Sequence, residues 1–274
     1  MINLTDYNYI QDLLLRNNFR FSKSMGQNFL IESWVPEKIA DEANITKDTT
    51  VVEVGPGIGC LTRELSERAG KVISYEIDKT LLPILSETLT GCDNVEIVFR
   101  DFMKEDDVSG DKFVANIPYN ITSPLISKVI KLPFDEIVVM IQKEVAKRIC
   151  ASVGDADYSS FGILCQWYTE PEILFDVSSD CFMPRPKVTS SVIRMKRREK
   201  PPVKVIDEKQ MFSIIRSSFN FRRKTLVNAM NSGMGIEKEK TAEVLNQLGI
   251  DEKVRGEALS IVEFAQISDK LSLK

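Results

Sequence analysis

The sequence predicts an α/β protein in which helices cover a mainly parallel sheet and a small all-α domain follows. Between about residue 50 and residue 150, short apolar runs rich in β-branched residues alternate with segments of helical periodicity, which is typical of a parallel sheet. Beyond Pro201 and Pro202 the patterns are helical, so these prolines mark the predicted boundary. The 274 residues, 43% of them hydrophobic, suffice for one domain at 1–200 and a second at 201–274.

The N-terminal part is predicted to contain two helices joined by a loop. Residues 5–17 have helical periodicity, with Thr5 as the capping residue. Residues 23–30 form a glycine-containing loop, and residues 33–44 form the second helix.

The predicted sheet follows from residue 50. Its strands are residues 50–54, 72–76, 95–99, 113–115 and 137–141. The accompanying helices are residues 61–68, 81–89, 123–131 and 144–150. Such alternation indicates parallel pairing, with helices on both faces of the sheet.

The pattern changes after Gly154. Residues 163–168 are predicted as a helix, and residues 171–177 and 190–196 as strands that form an antiparallel edge. The helices predicted for the second domain are residues 209–219, 224–230, 238–248 and 261–271, with Gly233, Gly235 and Gly249 as stops.

The composition excludes several kinds of site. The chain has no histidine and its five cysteines form no Cys-x-x-Cys pair, so we expect neither a metal site nor a histidine-dependent catalytic triad. Scattered cysteines are typical of reduced thiols. With no signal peptide and no long uncharged apolar run, the expectation is a cytoplasmic protein without a membrane partner. Nothing in the sequence indicates more than a monomer.

Charge is distributed unevenly along the chain. The formal net charge is −4, but residues 185–224 contain thirteen Lys and Arg against three acidic residues, a local charge of +10 that leaves −14 elsewhere. This asymmetry indicates a surface that faces a polyanion, and a merely solvated basic face is the alternative. The candidate phosphate-contacting residues are Arg194, Lys196, Arg197, Arg198, Arg222, Arg223 and Lys224.

A glycine-rich turn follows the first predicted strand of the sheet. Gly55, Gly57 and Gly59 alternate there, and without Cβ atoms they allow a ligand to approach the backbone. Glu76 ends the next strand, where a carboxylate can accept hydrogen bonds from both hydroxyls of a ribose. Asp101 follows the third strand at the same edge. If each feature is considered alone, the glycine turn has a simple tight turn as its alternative, and Asp101 has a capping role as its alternative.

A second motif, Asn-Ile-Pro-Tyr at residues 116–119, follows the fourth strand. The Asn116 side-chain oxygen and a nearby backbone carbonyl can accept hydrogen bonds from the two N–H groups of an exocyclic base amine. These hydrogen bonds free the nitrogen lone pair for attack on a methyl sulfonium. Tyr119 offers a flat face for an extruded base. A turn asparagine and a core aromatic are the alternatives.

Six motifs in order resemble those of the rRNA adenine N6,N6-dimethyltransferase family, most closely its small-subunit branch. They are Gly-Gln-Asn-Phe-Leu (26–30), Glu-Val-Gly-Pro-Gly-Ile-Gly (53–59), Asn-Ile-Pro-Tyr-Asn-Ile-Thr-Ser-Pro-Leu (116–125), Gln-Lys-Glu-Val-Ala-Lys-Arg (142–148), Phe-Met-Pro-Arg-Pro-Lys-Val (182–188) and Phe-Arg-Arg-Lys-Thr-Leu (221–226). The resemblance covers essentially the full length.

The resemblance implies a Rossmann-like methyltransferase fold that uses S-adenosyl-L-methionine. It implies dimethylation of two adjacent adenosines in the 3′-terminal hairpin of small-subunit rRNA, within an assembling small ribosomal subunit. Phe182 would stack on the target adenine opposite Tyr119. The cofactor site implied by the resemblance comprises Asn28, Leu30, Gly55, Gly57, Glu76, Asp101 and Asn116, with Gly55 against the methionine part, Glu76 on the ribose and Asp101 on the adenine amine.

Three other functions compete with this one. The macrolide-resistance relatives, which act on large-subunit rRNA, are disfavoured by the Phe-Arg-Arg-Lys-Thr-Leu stretch and the long helical tail. An assembly factor without catalysis is disfavoured by the intact Asn116–Tyr119 motif. A nicotinamide-dependent oxidoreductase would require glycine where the chain has Cys60.

Overall fold

The computed structural model describes residues 3–22 and 25–272, so Lys23, at which the predicted loop begins, lies outside the described residues. The chain forms two compact units. The first comprises Met1–Ala146 with Thr169–Arg197, and the second comprises Lys147–Tyr168 with Arg198–Lys274.

The first unit contains most of the helices and strands predicted before Pro201. Its helices are α1 (Tyr7–Arg16), α2 (Trp34–Glu42), α3 (Cys60–Arg68), α4 (Leu82–Thr88), α5 (Thr122–Val129) and the first turn of α6 (Lys143–Cys150). Its strands are β1 (Phe29–Leu30), β2 (Thr50–Val54), β3 (Lys71–Tyr75), β4 (Val95–Val98), β5 (Lys112–Asn116), β6 (Glu136–Gln142), β7 (Thr169–Val177), β8 (Phe182–Met183) and β9 (Ser190–Arg197).

Seven of these strands form one sheet in the order β4-β3-β2-β5-β6-β9-β7. The neighbours from β4 to β6 are parallel, whereas β9 is antiparallel to both β6 and β7. The predicted α/β class, the Rossmann-like sheet and its antiparallel edge are thereby confirmed. Because β2 pairs with both β3 and β5, the strand order reverses between β2 and β5, and ligands of such sheets bind at the carboxyl ends of the strands on either side of this point.

Strand β6 shows why these segments form the centre of the sheet. Its residues 137–141 are Ile-Val-Val-Met-Ile, all at most 1% exposed, and a continuous apolar run is what a strand covered on both faces requires. Val138 and Met140 pack in one core cluster with Val51 of β2, Val72 of β3 and Val192 of β9.

A separate two-residue ladder joins the N-terminal segment to a point late in the unit. In this ladder β1 is antiparallel to β8, with Phe29 opposite Met183 and Leu30 opposite Phe182. The sequence showed no strand at either place, because a two-residue strand has too few positions for a periodicity.

The predicted cap of the first helix was wrong. Helix α1 begins at Tyr7, and the Asp6 side chain caps it by accepting a hydrogen bond from Tyr9 N at 2.7 Å. The Thr5 hydroxyl instead donates to Asn3 Oδ1. A carboxylate is the stronger acceptor at a helix N-terminus because it is ionised and lies at the positive end of the helix dipole.

The second unit is helical in the described residues that follow α6. Its helices are α7 (Ser160–Tyr168), α8 (Glu208–Asn220), α9 (Leu226–Met234), α10 (Lys238–Gln247) and α11 (Ile261–Ser272). This grouping differs from the predicted division at residue 200, because Lys147–Tyr168 packs with the C-terminal helices. Trp167 stacks edge-on against Phe212 at 5.7 Å, and the Tyr158 hydroxyl donates to Leu259 O.

The prediction that Gly233 ends a helix was wrong. Helix α9 continues through Gly233 to Met234 and ends at Gly235, which has a φ of +69°. A Cβ at position 233 would lie 2.2 Å from Ser217 Oγ, so this glycine allows α9 to approach α8 closely.

Candidate functional site

A cavity of about 360 Å³ lies in the first unit at the carboxyl ends of β2, β3 and β5. This volume is in the range of small-molecule sites. The structure brings nine residues predicted as cofactor-binding or catalytic into the lining of this cavity. They are Asn28, Leu30, Gly55, Gly57, Glu76, Asp101, Asn116, Tyr119 and Phe182.

The glycine turn after β2 forms one wall of the cavity. Gly55 and Gly57 have φ angles of +76° and +60°, which side-chain-bearing residues rarely adopt. A Cβ at Gly55 would lie 3.3 Å from Pro118 Cδ, and one at Gly57 would lie 3.1 Å from Phe29 Cε1. The turn is therefore held between the Asn-Ile-Pro-Tyr loop and the N-terminal segment, with its backbone facing the cavity.

Glu76 is a preorganised acceptor at the end of β3. Its side chain is only 6% exposed, and Oε1 accepts hydrogen bonds from Ile77 N and Asp78 N, both at 2.8 Å. Burial raises the pKa of Glu76, and hydrogen bonds from backbone amides partly offset this effect. A carboxylate offers about four acceptor sites, so Glu76 keeps capacity for the hydroxyls of a ribose.

Asp101 has the capping role that was the alternative in the sequence, and it also lines the cavity. Its Oδ1 accepts from Met103 N at 3.0 Å at the start of a short 3-10 helix. Oδ2 lies 3.7 Å from the Lys104 ammonium. The cap fixes the orientation of the carboxylate, so the two roles are compatible.

Glu53 lies beneath the glycine turn and lines the same cavity. It is 1% exposed, and its Oε2 accepts from Thr62 Oγ1 at 2.7 Å and from Ser74 Oγ at 2.8 Å. Burial raises the pKa of Glu53 to about 7. The sequence identified only its place in the motif and gave no sign that it is an acid with a pKa near neutrality.

Asn116 is the last residue of β5, and the loop that follows it is fixed by hydrogen bonds. Ile117 N donates to Met140 O on the adjacent strand at 3.1 Å. The Thr122 hydroxyl donates to Tyr119 O at 3.2 Å. The Asn116 side chain and the carbonyls of the loop thus reach the cavity from a rigid element, as an amine-holding site requires.

Tyr119 and Phe182 are held in different ways. The Tyr119 hydroxyl lies 2.6 Å from Ser190 Oγ, and burial raises the pKa of Tyr119, so the phenol is neutral. Phe182 is 3% exposed and packs in the sheet core, while β8 carries it opposite Leu30. Sequence reasoning missed Ser190, because its contact with Tyr119 depends on strands that meet only in the folded chain.

Arg194 has an internal role. Its guanidinium donates to Glu172 Oε1 and Glu42 Oε2, each at 2.9 Å, and it is 19% exposed. Glu136 Oε2 lies 3.5 Å from Arg194 Nε. Three carboxylates of the first unit therefore surround the Arg194 guanidinium and neutralise its charge.

Arg197 also binds within its own unit. Its Nε donates to Phe134 O at 2.6 Å, and its Nη2 donates to the carbonyls of Ile130 and Leu132. These carbonyls lie at and just beyond the C-terminal end of α5, so Arg197 caps that helix. Lys196, between these two arginines, is exposed.

The remaining predicted phosphate contacts lie in the second unit. Arg198 Nε donates to Gln166 O at 2.9 Å. Arg222, Arg223 and Lys224 are all exposed. Arg222 pairs with Glu257 at 2.5 Å, and Lys224 Nζ donates to Ser232 Oγ at 2.9 Å.

Residues 3–22 and 25–272 contain neither a metal-binding cluster nor a membrane-spanning helix. No cluster of three or more His, Cys, Asp or Glu side chains in these ranges could hold a metal ion. None of the helices described there is long and apolar enough to cross a membrane.

The chain is similar to ribosomal RNA methyltransferases over nearly its whole length. A model of the family described as ribosomal RNA adenine dimethylase matches residues 18–272. A protein from Geobacillus kaustophilus named ribosomal RNA small subunit methyltransferase A is 47% identical, over 96% of this chain and 94% of that protein. A protein of the same name from Clostridium botulinum is 45% identical, over 94% of this chain and 97% of that protein.

Two solved structures show the same fold. A dimethyladenosine transferase from Plasmodium falciparum has a TM-score of 0.76 at 29% identity, covering 87% of this chain and 95% of that one. The 23S rRNA methyltransferase ErmE has a TM-score of 0.69 at 27% identity, covering 89% of this chain and 99% of that one.

Proposed function

The chain belongs to the ribosomal RNA adenine dimethylase family and is an S-adenosylmethionine-dependent rRNA adenine dimethyltransferase, and from this premise we propose that it modifies two adjacent adenosines in the 3′-terminal hairpin of small-subunit rRNA. The small-subunit assignment is supported by the names of relatives at 45–47% identity over nearly the whole chain. The large-subunit enzyme is 27% identical. We further propose that the protein acts in the cytoplasm, as a monomer, on an assembling small subunit.

The residues at the carboxyl edge of the sheet fit the cofactor. The glycine turn brings its backbone to the cavity in a conformation with positive φ that residues with a Cβ rarely adopt, and Glu76 provides a buried acceptor for the ribose. In this proposal Gly55 lies against the methionine part, Asp101 binds the adenine amine, and Asn28 and Leu30 close the site from the N-terminal segment. When bound, the cofactor supplies an electrophilic methyl group on its sulfonium.

The methyl-accepting amine is held by Asn116 and its loop. Asn116 Oδ1 accepts one N–H of the adenine amine, and a backbone carbonyl near Ile117 and Pro118 accepts the other. These bonds favour a tetrahedral nitrogen whose lone pair is free to attack. Tyr119 and Phe182 stack on the base. Once it has taken the methyl group, the nitrogen is cationic and acidic, so its proton passes to water without a strong base, which suits a chain that has no histidine.

The exposed cluster Arg222, Arg223 and Lys224, together with exposed Lys196, supports the proposal of phosphate contacts that do not specify sequence. We propose that Arg198, two residues after Lys196 in the sequence, also contacts phosphate. Arg194 and Arg197 are not proposed as phosphate contacts. Carboxylates already surround the guanidinium group of Arg194, and backbone carbonyls after α5 accept hydrogen bonds from that of Arg197.

The single observation that carries the proposal is that Glu76, the glycine turn and the Asn116–Tyr119 loop line one cavity. The test is transfer of labelled methyl groups from S-adenosylmethionine to small subunits that lack the modification. We expect two dimethylated adenosines, mapped in the 3′-terminal hairpin. Fully modified small subunits and the Asn116→Ala variant are the controls. Transfer to large subunits instead would contradict the small-subunit assignment.

A further inference from the structure

The side chain of Gln27 joins the N-terminal segment to the loop after β3. Its Nε2 donates to Asp78 Oδ2 at 2.7 Å, and its Oε1 accepts from Ser22 N at 3.1 Å. Because both ends of the amide are engaged, its donor must face Asp78. The motif that contains Gln27 also contributes Asn28 and Leu30 to the cavity, and Gln27 itself lies in the lining of the same cavity.

Asp78 connects this contact to the proposed ribose acceptor. Its backbone N–H donates to Glu76 Oε1 at 2.8 Å, and its Oδ1 accepts from Thr80 N at 3.0 Å and from Thr80 Oγ1 at 2.6 Å. Burial acts to raise the pKa of Asp78, but hydrogen bonds from Thr80 and Gln27 outweigh it and lower the pKa. Asp78 is therefore an ionised acceptor whose backbone amide holds one oxygen of Glu76.

We propose that Gln27 is a positioning residue for cofactor binding, which acts through Asp78 to hold the Glu76 carboxylate and the N-terminal segment in place together. This proposal rests on the assignment of Glu76 to the ribose. The surroundings support it, because Asn28 Nδ2 donates to Gly26 O, and a Cβ at Gly26 would lie 3.0 Å from Asn120 Oδ1. The N-terminal segment thus packs against the loop that follows Asn116 on one side, and Gln27 binds it to the loop after β3 on the other.

The contact can be broken and then rebuilt with donor and acceptor exchanged. Gln27→Glu places two carboxylates against each other, and Asp78→Asn places two amide donors against each other. In the double variant Gln27→Glu/Asp78→Asn, the amide at position 78 donates to the carboxylate at position 27. That carboxylate still accepts from Ser22 N, and the remaining oxygen at position 78 still accepts from Thr80 N.

Calorimetric titration with S-adenosylmethionine is the test. We expect each single variant to bind about tenfold more weakly, the effect of one hydrogen bond to a charged group, and the double variant to return to within about threefold of the natural chain. In steady-state assays, KM for the cofactor should rise in the single variants while kcat at saturating cofactor stays within about twofold. A defect that does not depend on this contact would not be rescued by the exchange, and a general structural defect would lower kcat as well as raise KM.

Gln247→Glu is the matched control. Gln247 is an exposed glutamine whose Nε2 donates to the Glu243 carboxylate at 3.0 Å, so it undergoes the same chemical change in the second unit and should leave cofactor affinity unchanged. If one single variant fails to fold, the other single variant and the double variant decide.

The inference is overturned if the single variants bind normally, or if the double variant binds no better than the weaker single variant. Glu76→Ala in the same titration separates the two assignments. Normal binding by Glu76→Ala would refute the ribose role of Glu76. Weak binding by Glu76→Ala with normal binding by Gln27→Glu would refute the role of Gln27 alone.

Discussion

Replacing Glu76 tests the cofactor site most directly, and two substitutions separate binding from folding. Alanine removes the whole carboxylate, including the oxygen that accepts from Ile77 N and Asp78 N at 2.8 Å. Glutamine keeps a carbonyl oxygen for those two amides but puts an NH2 group where the second carboxylate oxygen would face the ribose. Glu76→Gln therefore preserves the contacts with Ile77 and Asp78, while it perturbs the ligand contact and can perturb the hydrogen bond from the Gly57 amide.

The magnitudes follow from these contacts. Two hydrogen bonds from ribose hydroxyls to a carboxylate are worth about 1.5 kcal/mol each at the lower end of their range, so Glu76→Ala should weaken cofactor binding about 100-fold. Glu76→Gln can replace them by neutral hydrogen bonds, so its loss should be about tenfold. The alanine variant should also lose about 1–3 kcal/mol of stability, because the backbone amides of Ile77 and Asp78 lose a charged acceptor.

Titration calorimetry with S-adenosylmethionine and urea unfolding without it measure these two effects separately. Acidification adds a further check. Burial raises the pKa of Glu76, so its ionised fraction falls earlier on acidification than that of an ordinary glutamate. Cofactor affinity of the natural chain should therefore decrease on acidification at a higher pH than the titration of an ordinary glutamate would require, and that of Glu76→Gln should respond less. Unchanged affinity in both variants would refute the assignment of Glu76 to the ribose.

Three other predictions concern chemistry, pH and RNA. Asn116→Ala should lower the single-turnover rate by about 100-fold or more, the loss of about 3–4 kcal/mol of transition-state stabilisation, with cofactor affinity less affected; a near-normal rate would rule out the amine-holding role. Burial raises the pKa of Glu53 from 4.5 to about 7, so the folded chain binds more protons between these values and should lose about 3 kcal/mol of stability as the pH rises through them. Glu53→Gln should abolish that loss in urea unfolding at pH 5 and pH 8, and an unchanged pH dependence would contradict the buried-acid interpretation. Replacing Arg222, Arg223 and Lys224 together by alanine should weaken binding to small subunits and reduce its log–log salt slope by up to about 0.9 per lost phosphate contact, with cofactor affinity unchanged; an unchanged affinity and slope would make the cluster structural.

The sheet and its ligand edge could be predicted because their signals are local. Each of the five parallel strands is a short apolar run, and the glycine turn, Glu76 and Asp101 follow three of them directly. The carboxyl ends of parallel strands meet at one edge whatever the details of the loops. This is why residues far apart in the chain could be placed in one site from sequence.

What escaped prediction depends on partners far away in the chain. Arg194 looks like any other residue of a basic stretch until Glu42 and Glu172 are folded around it. The Tyr119–Ser190 contact joins residues 71 positions apart, and the Gln27–Asp78 contact joins residues 51 apart. The segment 147–168 has helical patterning, but this pattern does not indicate whether Trp167 packs in the core of the first unit or of the second.

The two-residue ladder between β1 and β8 sets the order in which the catalytic pocket can form. Leu30 can meet Phe182 only after nearly the whole first unit has been synthesised. The glycine turn and Glu76, by contrast, depend on strands that are complete by residue 116. The strands that precede the glycine turn and Glu76 are therefore synthesised first, and neither the N-terminal wall of the cofactor site nor the pocket for the base can be complete before the strand that carries Phe182 has been made.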